Sequence, residues 1–163
     1  MQSNWIIGGL VIVVVVIVGA MASKNFVNTN EPEPEAPAVK GVAVTLYKSP
    51  SCGCCGQYSA YLEGKGYDMD VKLENDMSVI KEQFGVPYGL ESCHTMEVEG
   101  YVVEGHVPEE AIAKLLVEKP DIKGIGMGGM PSGSPGMPGP KNADFVIYEI
   151  TKDGEKGEVF MTI

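Results

Sequence analysis

Three cysteines crowd into four positions, Cys52, Cys54 and Cys55, within the stretch Ser49-Pro50-Ser51-Cys52-Gly53-Cys54-Cys55-Gly56. The fourth, Cys93, lies 38 residues beyond Cys55 and directly precedes His94, one of two histidines; the other is His106. Every thiol and imidazole of the 163-residue chain therefore falls between positions 52 and 106. Two chemistries use such groups. A Cys-x-x-Cys on a strand-to-helix turn is a dithiol redox motif: amides at the helix N-terminus stabilise a thiolate, so Cys52 is expected to be the more acidic and exposed member, with Cys55 a turn inside. Cys54 complicates that reading, because a third thiol inside the motif can attack a mixed disulfide or form the wrong one.

Metal binding is the other chemistry. Three clustered thiols with Cys93 and His94 offer soft and borderline donors that favour Cu(I) or Zn(II). Neighbouring residues on a helix point roughly 100° apart, and neighbours on a strand point to opposite faces. Cys54 with Cys55, and Cys93 with His94, therefore do not all converge easily on one ion. Either some donors are idle or thiolates bridge more than one ion. Cu(I), which tolerates two and three sulfur ligands, suits a bridged cluster better than a single tetrahedral zinc. His106 ends a strand before Pro108 and reads equally as a ligand or its supporting neighbour, on the one hand, and as a surface residue on the other. His94 has a plainer alternative, a hydrogen bond to a backbone carbonyl.

These residues need a frame. Val42 to Tyr47 reads as a short buried strand ended by the Ser-Pro-Ser turn, and Gly53 to about Glu63 as a helix closed by Gly64 and Gly66. Tyr67 to Leu73 alternates as a strand with one solvated face. Asp76 can cap a helix running to Phe84, stopped by Gly85 and Pro87. Thr95 to Glu104 forms two strands turned at Glu99-Gly100, whose glutamates read as the solvated face. Pro108 opens a helix over Glu109 to Glu118. The order β-α-β-α-β-β-α is an α/β sandwich pattern. Gly124 to Pro140 breaks from it as a flexible loop carrying Met127, Met130 and Met137; Met127 reads as packing, whereas the other two are open between packing and thioether ligation. Asp144 to Ile150 and Gly157 to Ile163 then form a hairpin around Asp153-Gly154.

Ahead of this body, Trp5 to Ala22 is an uncharged apolar run of 18 residues. At about 1.5 Å per residue it just crosses a bilayer core of roughly 30 Å. Ala20-Met21-Ala22 also matches a signal-peptidase pattern, but the run is long for a cleaved signal and no Lys or Arg precedes it, so a retained anchor is favoured. Asn25 to Lys40, with its alternating Glu and Pro, is an extended tether. The expected organisation is an anchor or signal over 1–24, an acidic Pro-rich linker over 25–40 and one domain over 41–163. The net charge is −10 and no arginine occurs. From Gly41 onward 10 lysines face 19 carboxylates, leaving −9. Nucleic acid and phosphorylated substrates are poor partners for such a surface.

The Cys52-Gly-Cys54-Cys55 turn, the Ser92-Cys93-His94-Thr95 segment, the Val98 to Pro108 hairpin with His106, and the Gly-Met-Pro-Ser-Gly-Ser-Pro-Gly-Met loop resemble the CopG-type copper-resistance family over about residues 42 to 150. The resemblance implies a thioredoxin-like three-layer sandwich with a C-terminal loop and hairpin extension, here preceded by a single N-terminal transmembrane helix. It places Ser-Cys-His where thioredoxins carry their cis-proline, so Cys93 would face Cys52 and Cys55. It implies copper binding, with Cu(I) favoured and zinc possible, through Cys52, Cys54, Cys55, Cys93, His94 and His106. The family is usually found outside the bacterial cytoplasm, and the anchor-like N-terminus and acidic tether depart from a simple cleaved form. The expectation is a membrane-anchored domain outside the cytoplasm, with a cleaved and secreted form as the other outcome, exchanging copper with another copper-handling protein. A membrane-anchored thiol–disulfide oxidoreductase using Cys52 and Cys55 is the alternative, and a structural zinc module a third.

Overall fold

The computed structural model describes residues 39–163. The expected anchor, Trp5 to Ala22, and nearly all of the tether lie outside the described residues. Among the described residues no helix is long and apolar enough to cross a membrane.

The chain runs through β1 (Ala43–Lys48), α1 (Gly53–Lys65), β2 (Asp68–Leu73), α2 (Met77–Phe84), a 3-10 turn (Tyr88–Leu90), β3 (His94–Val98), β4 (Tyr101–Glu104), α3 (Glu109–Glu118), β5 (Gly124–Gly126), β6 (Val146–Ile150) and β7 (Lys156–Thr162). The strands form one mixed sheet in the order β2-β1-β3-β4-β5-β6-β7. β1 runs parallel to β2 and antiparallel to β3, and β4 runs antiparallel to β3 and parallel to β5. The α3 crossover makes that last parallel pairing possible, since parallel neighbours cannot be joined by a tight turn.

Strand alternation sorts the side chains. Val44, Leu46, Met96, Val98, Val103 and Ile125 point to one face, where Tyr58 and Leu62 of α1 and Ile112 and Leu115 of α3 complete the main core. On the other face Val86, Leu90, Val102 and Ile150 form a smaller cluster, with Phe84 at the end of α2 packed on it. The result is an α/β sandwich of three layers, the sheet lying between α1 with α3 and α2. Caps fix the helix ends. The Asp76 side chain accepts from the Ser78 amide at the start of α2, satisfying one of the unpaired donors there. The β3–β4 turn has Glu99 and Gly100 both at positive φ, 46° and 84°, the primed geometry that matches strand twist.

Two expectations are corrected. Gly124 to Pro140 is not one loop: its first three residues are β5, buried between β4 and β6. A Cβ at Gly124 would collide with the Val102 carbonyl oxygen, so the glycine that reads as a strand breaker is what admits the close pairing. The remainder is held in turns by Gly129 N–H to Glu91 O at 3.1 Å, Gly133 N–H to Pro138 O at 3.2 Å and Met137 N–H to Ser134 O at 2.9 Å. Within the β3–β4 hairpin, Glu97 and Glu99 are exposed as expected, but Glu104 is fully buried.

Candidate metal centre

The register of β1 against β3 brings the distant donors together. Lys48, the last residue of β1, pairs with His94, the first of β3. The chain leaving β1 therefore reaches Cys52 beside the chain that delivers Cys93. On the other side Thr95 pairs with Glu104, and the Gly105 amide donates to the His94 carbonyl at 3.3 Å. That puts His106 beside Cys93 as well.

Cys52 is the N-cap of α1 and makes no side-chain cap bond, so the first-turn amides are left for the sulfurs. Cys52 and Cys55 are joined as a disulfide, with Cys52 partly exposed and Cys55 buried, the order of exposure expected. Cys54 Sγ lies 3.5 Å from Cys52 Sγ and 3.7 Å from Cys93 Sγ. Cys55 Sγ lies 3.4 Å from Cys93 Sγ. All four sulfurs fall within 4.8 Å of one another. Cys93 also belongs to a second group with the two imidazoles: its Sγ is 3.5 Å from His94 Nδ1 and 3.2 Å from His106 Nε2. One donor atom from each of Cys93, His94 and His106 again falls within 4.8 Å. The six residues singled out in the sequence thus meet in one place, as two donor sets sharing Cys93.

Burial sets their protonation. The Cys93 thiol is pushed up to about 12 by burial, with the Cys54 sulfur beside it adding to the rise. Burial holds both imidazoles below their ordinary value, His94 far below it. Burial thus favours the neutral form of the Cys93 thiol and of both imidazoles. His106 Nδ1 lies 2.7 Å from the Pro135 carbonyl oxygen. A carbonyl only accepts, so Nδ1 carries the proton and the Nε2 lone pair faces Cys93. His94 Nε2 is buried without a hydrogen-bond partner among the described residues. Such an orphan is costly in a finished core; it is the Nδ1 edge of the same ring that faces Cys93. With the Cys52–Cys55 disulfide opened, the donors fit a soft metal ion: four sulfurs, and one imidazole whose tautomer is already the ligating one.

Three features escaped sequence reading. Tyr58 is fully buried and donates to the Val107 carbonyl at 2.7 Å. Its ring lies 4.7 Å from that of His94 and 5.3 Å from that of His106, so it wedges both imidazoles in place. It follows Cys55 by three positions, the helical spacing that would have put it on the same face. The Met-Pro-Gly loop reaches over the site, since a Cβ at Gly136 would fall 2.7 Å from Tyr58 N and 2.9 Å from Cys54 O. Of its methionines, Met127 is in the core, Met130 is exposed and Met137 lines a surface cleft with Gln57 and Pro138. Finally, Lys81, Ser92, Thr95 and Glu104 form a polar network on the opposite face of the sheet.

The family model described as "Protein of unknown function, DUF411" matches residues 90–137, the span from the 3-10 turn to Met137. No curated protein matches the chain. Two solved structures, named copper resistance protein CopG form 1 and form 2, are each 36% identical to it. Form 1 covers 76% of this chain and 98% of its own, with a TM-score of 0.69. Form 2 covers 76% and 99%, with a TM-score of 0.70.

Proposed function

Because the chain belongs to the CopG family of copper-resistance proteins, we propose that it binds copper as cargo, as Cu(I), through Cys52, Cys54, Cys55 and Cys93, with His94 and His106 completing the site. The observation that carries this reading is the convergence of four sulfurs within 4.8 Å, one of them shared with two imidazoles. Cu(I) is soft and accepts low coordination numbers, so bridging thiolates can hold more than one ion where tetrahedral zinc would leave donors idle. Loading the four-sulfur set requires two electrons and two protons to open the Cys52–Cys55 disulfide to a pair of thiols. Binding then releases thiol protons, because the thiolate is the ligand.

The biological role in this reading is copper sequestration, transfer or redox conversion for metal tolerance, with another copper-handling protein as the exchange partner. The copper-resistance relatives, together with the clustered Cys and His donors, support it. The anchor over Trp5 to Ala22 rests on the apolar run alone, and the location outside the cytoplasm rests on the family resemblance. Cu(I) titration of the reduced full chain against a competing chelator tests the reading. Cys93→Ala, which removes the donor common to both sets, is expected to bind markedly more weakly than the parent; equal affinity would sink the proposal.

One observation favours a second reading. The disulfide sits at a helix N-terminus with the Cys93 thiol 3.4 Å from Cys55 Sγ, an arrangement suited to thiol–disulfide exchange. Under that reading Cys54→Ser keeps full disulfide-reducing activity. Under the copper reading the same substitution lowers the number of ions held.

A further inference from the structure

Beneath Cys93, on the face of the sheet away from the donors, a carboxylate is buried with no exposure at all. Glu104 Oε1 accepts from the Ser92 amide at 2.7 Å and the Ser92 hydroxyl at 2.8 Å, and Oε2 accepts from Thr95 Oγ1 at 2.6 Å. Lys81 of α2, also buried, donates to Glu104 and, at 3.2 Å, to Thr95 Oγ1. Ser92 and Thr95 bracket Cys93 and His94 in the sequence. The same carboxylate thus grips the donor segment at both ends. Burying an ion pair brings little net stability against an apolar replacement of the same shape. Four converging donors on one carboxylate do, however, define the path of the backbone between them.

We propose that Glu104, anchored by Lys81, is a positioning residue that holds the Ser92–Thr95 segment so that Cys93 presents its sulfur to Cys55 and Cys54. This rests on the metal reading for its purpose, but its physical content, the placement of the Cys93 sulfur, can be measured without metal. Glu104 makes no hydrogen bond to a donor sulfur; it holds the backbone and hydroxyl of Ser92 and the hydroxyl of Thr95. After burial and Cys54, its charge also helps raise the Cys93 thiol, which is why a tether variant that keeps this charge is the deciding one.

The test uses the full chain carrying Cys52→Ser and Cys54→Ser, which leaves only the Cys55 and Cys93 thiols. Equilibration with reduced and oxidised glutathione forms one Cys55–Cys93 disulfide and two reduced glutathione molecules per oxidised glutathione consumed. The equilibrium reads the effective concentration of the two thiols. Two network variants are compared in this background. Ser92→Ala with Thr95→Val cuts two side-chain tethers while leaving the Lys81–Glu104 pair intact. Glu104→Gln removes the charge that all the donors share. We expect the effective concentration to fall at least tenfold in the Ser92→Ala, Thr95→Val variant at unchanged helix content. We expect a larger fall for Glu104→Gln, partly restored by Glu104→Asp. An effective concentration within twofold of the parent in the folded tether variant would overturn the proposal. So would its failure to fold, since the network would then carry the fold and not the placement of one segment. Absence of Cu(I) binding in the parent would refute the copper reading and leave this thiol measurement intact.

Discussion

Nδ1 of His106 lies 2.7 Å from the carbonyl oxygen of Pro135, so a residue of the Met-Pro-Gly loop sets which imidazole nitrogen is free to face Cys93. The loop owes its place to a close approach. Gly136 has φ +79°, and a Cβ there would lie 2.7 Å from Tyr58 N and 2.9 Å from Cys54 O. Gly136→Ala should therefore lift the loop from α1 and release His106 from Pro135. A cost of about 1–3 kcal/mol in stability is expected for forcing a side chain into that conformation. Cu(I) affinity should fall with it, and the nitrogen shifts of His106 should show the other tautomer gaining population. An unchanged tautomer would contradict the role given to the loop.

Tyr58 offers a separation of packing from hydrogen bonding. Tyr58→Phe keeps the ring against both imidazoles and loses only the bond to Val107. It should cost about 1–3 kcal/mol, because the buried Val107 carbonyl loses its donor, and leave Cu(I) affinity unchanged. Tyr58→Ala removes the wedge and should cost about 3–5 kcal/mol, with weaker binding. Urea denaturation and chelator competition on the same samples distinguish the two effects.

His94 and, to a lesser degree, His106 make the stability of the metal-free protein depend on pH, with His94 the larger contributor. Burial, then the neighbouring His106 and Lys81, hold its imidazole well below the ordinary value of 6.5. In the unfolded chain the same group takes up a proton as the pH falls through that value. The unfolded state therefore binds the proton first, and folding stability, full above pH 6.5, is lost on acidification until the folded imidazole itself titrates. His94→Leu should flatten this decline. Denaturation midpoints measured from neutral to acidic pH should show a shallower slope for the variant; parallel slopes would contradict the assignment.

Much of this architecture was legible in the residues. The β1 to α3 order, the Asp76 cap and the Glu99-Gly100 turn were all readable, because alternation, capping and positive-φ chemistry are local. The convergence of Cys52, Cys54, Cys55, Cys93, His94 and His106 was signalled by their crowding and by the family motifs. What stayed hidden depends on pairing across the sheet. Glu104 alternates with Val103 as a solvated residue would, and only α2 lying over that face, with Lys81 on it, makes it a buried counter-ion. Gly124 to Gly126 reads as loop because glycine disfavours strands, whereas the tight approach to Val102 requires it. Tyr58 gave a helical-spacing signal that the nearby thiols overshadowed.

The central claim is that the sulfurs act together on copper, and anaerobic Cu(I) titration of the reduced full chain against a competing chelator tests it most directly. The account predicts two or more tightly held ions per chain, with both affinity and number reduced in Cys93→Ala. No tight binding, with rapid disulfide exchange in the same sample, would contradict it and make the dithiol the working group.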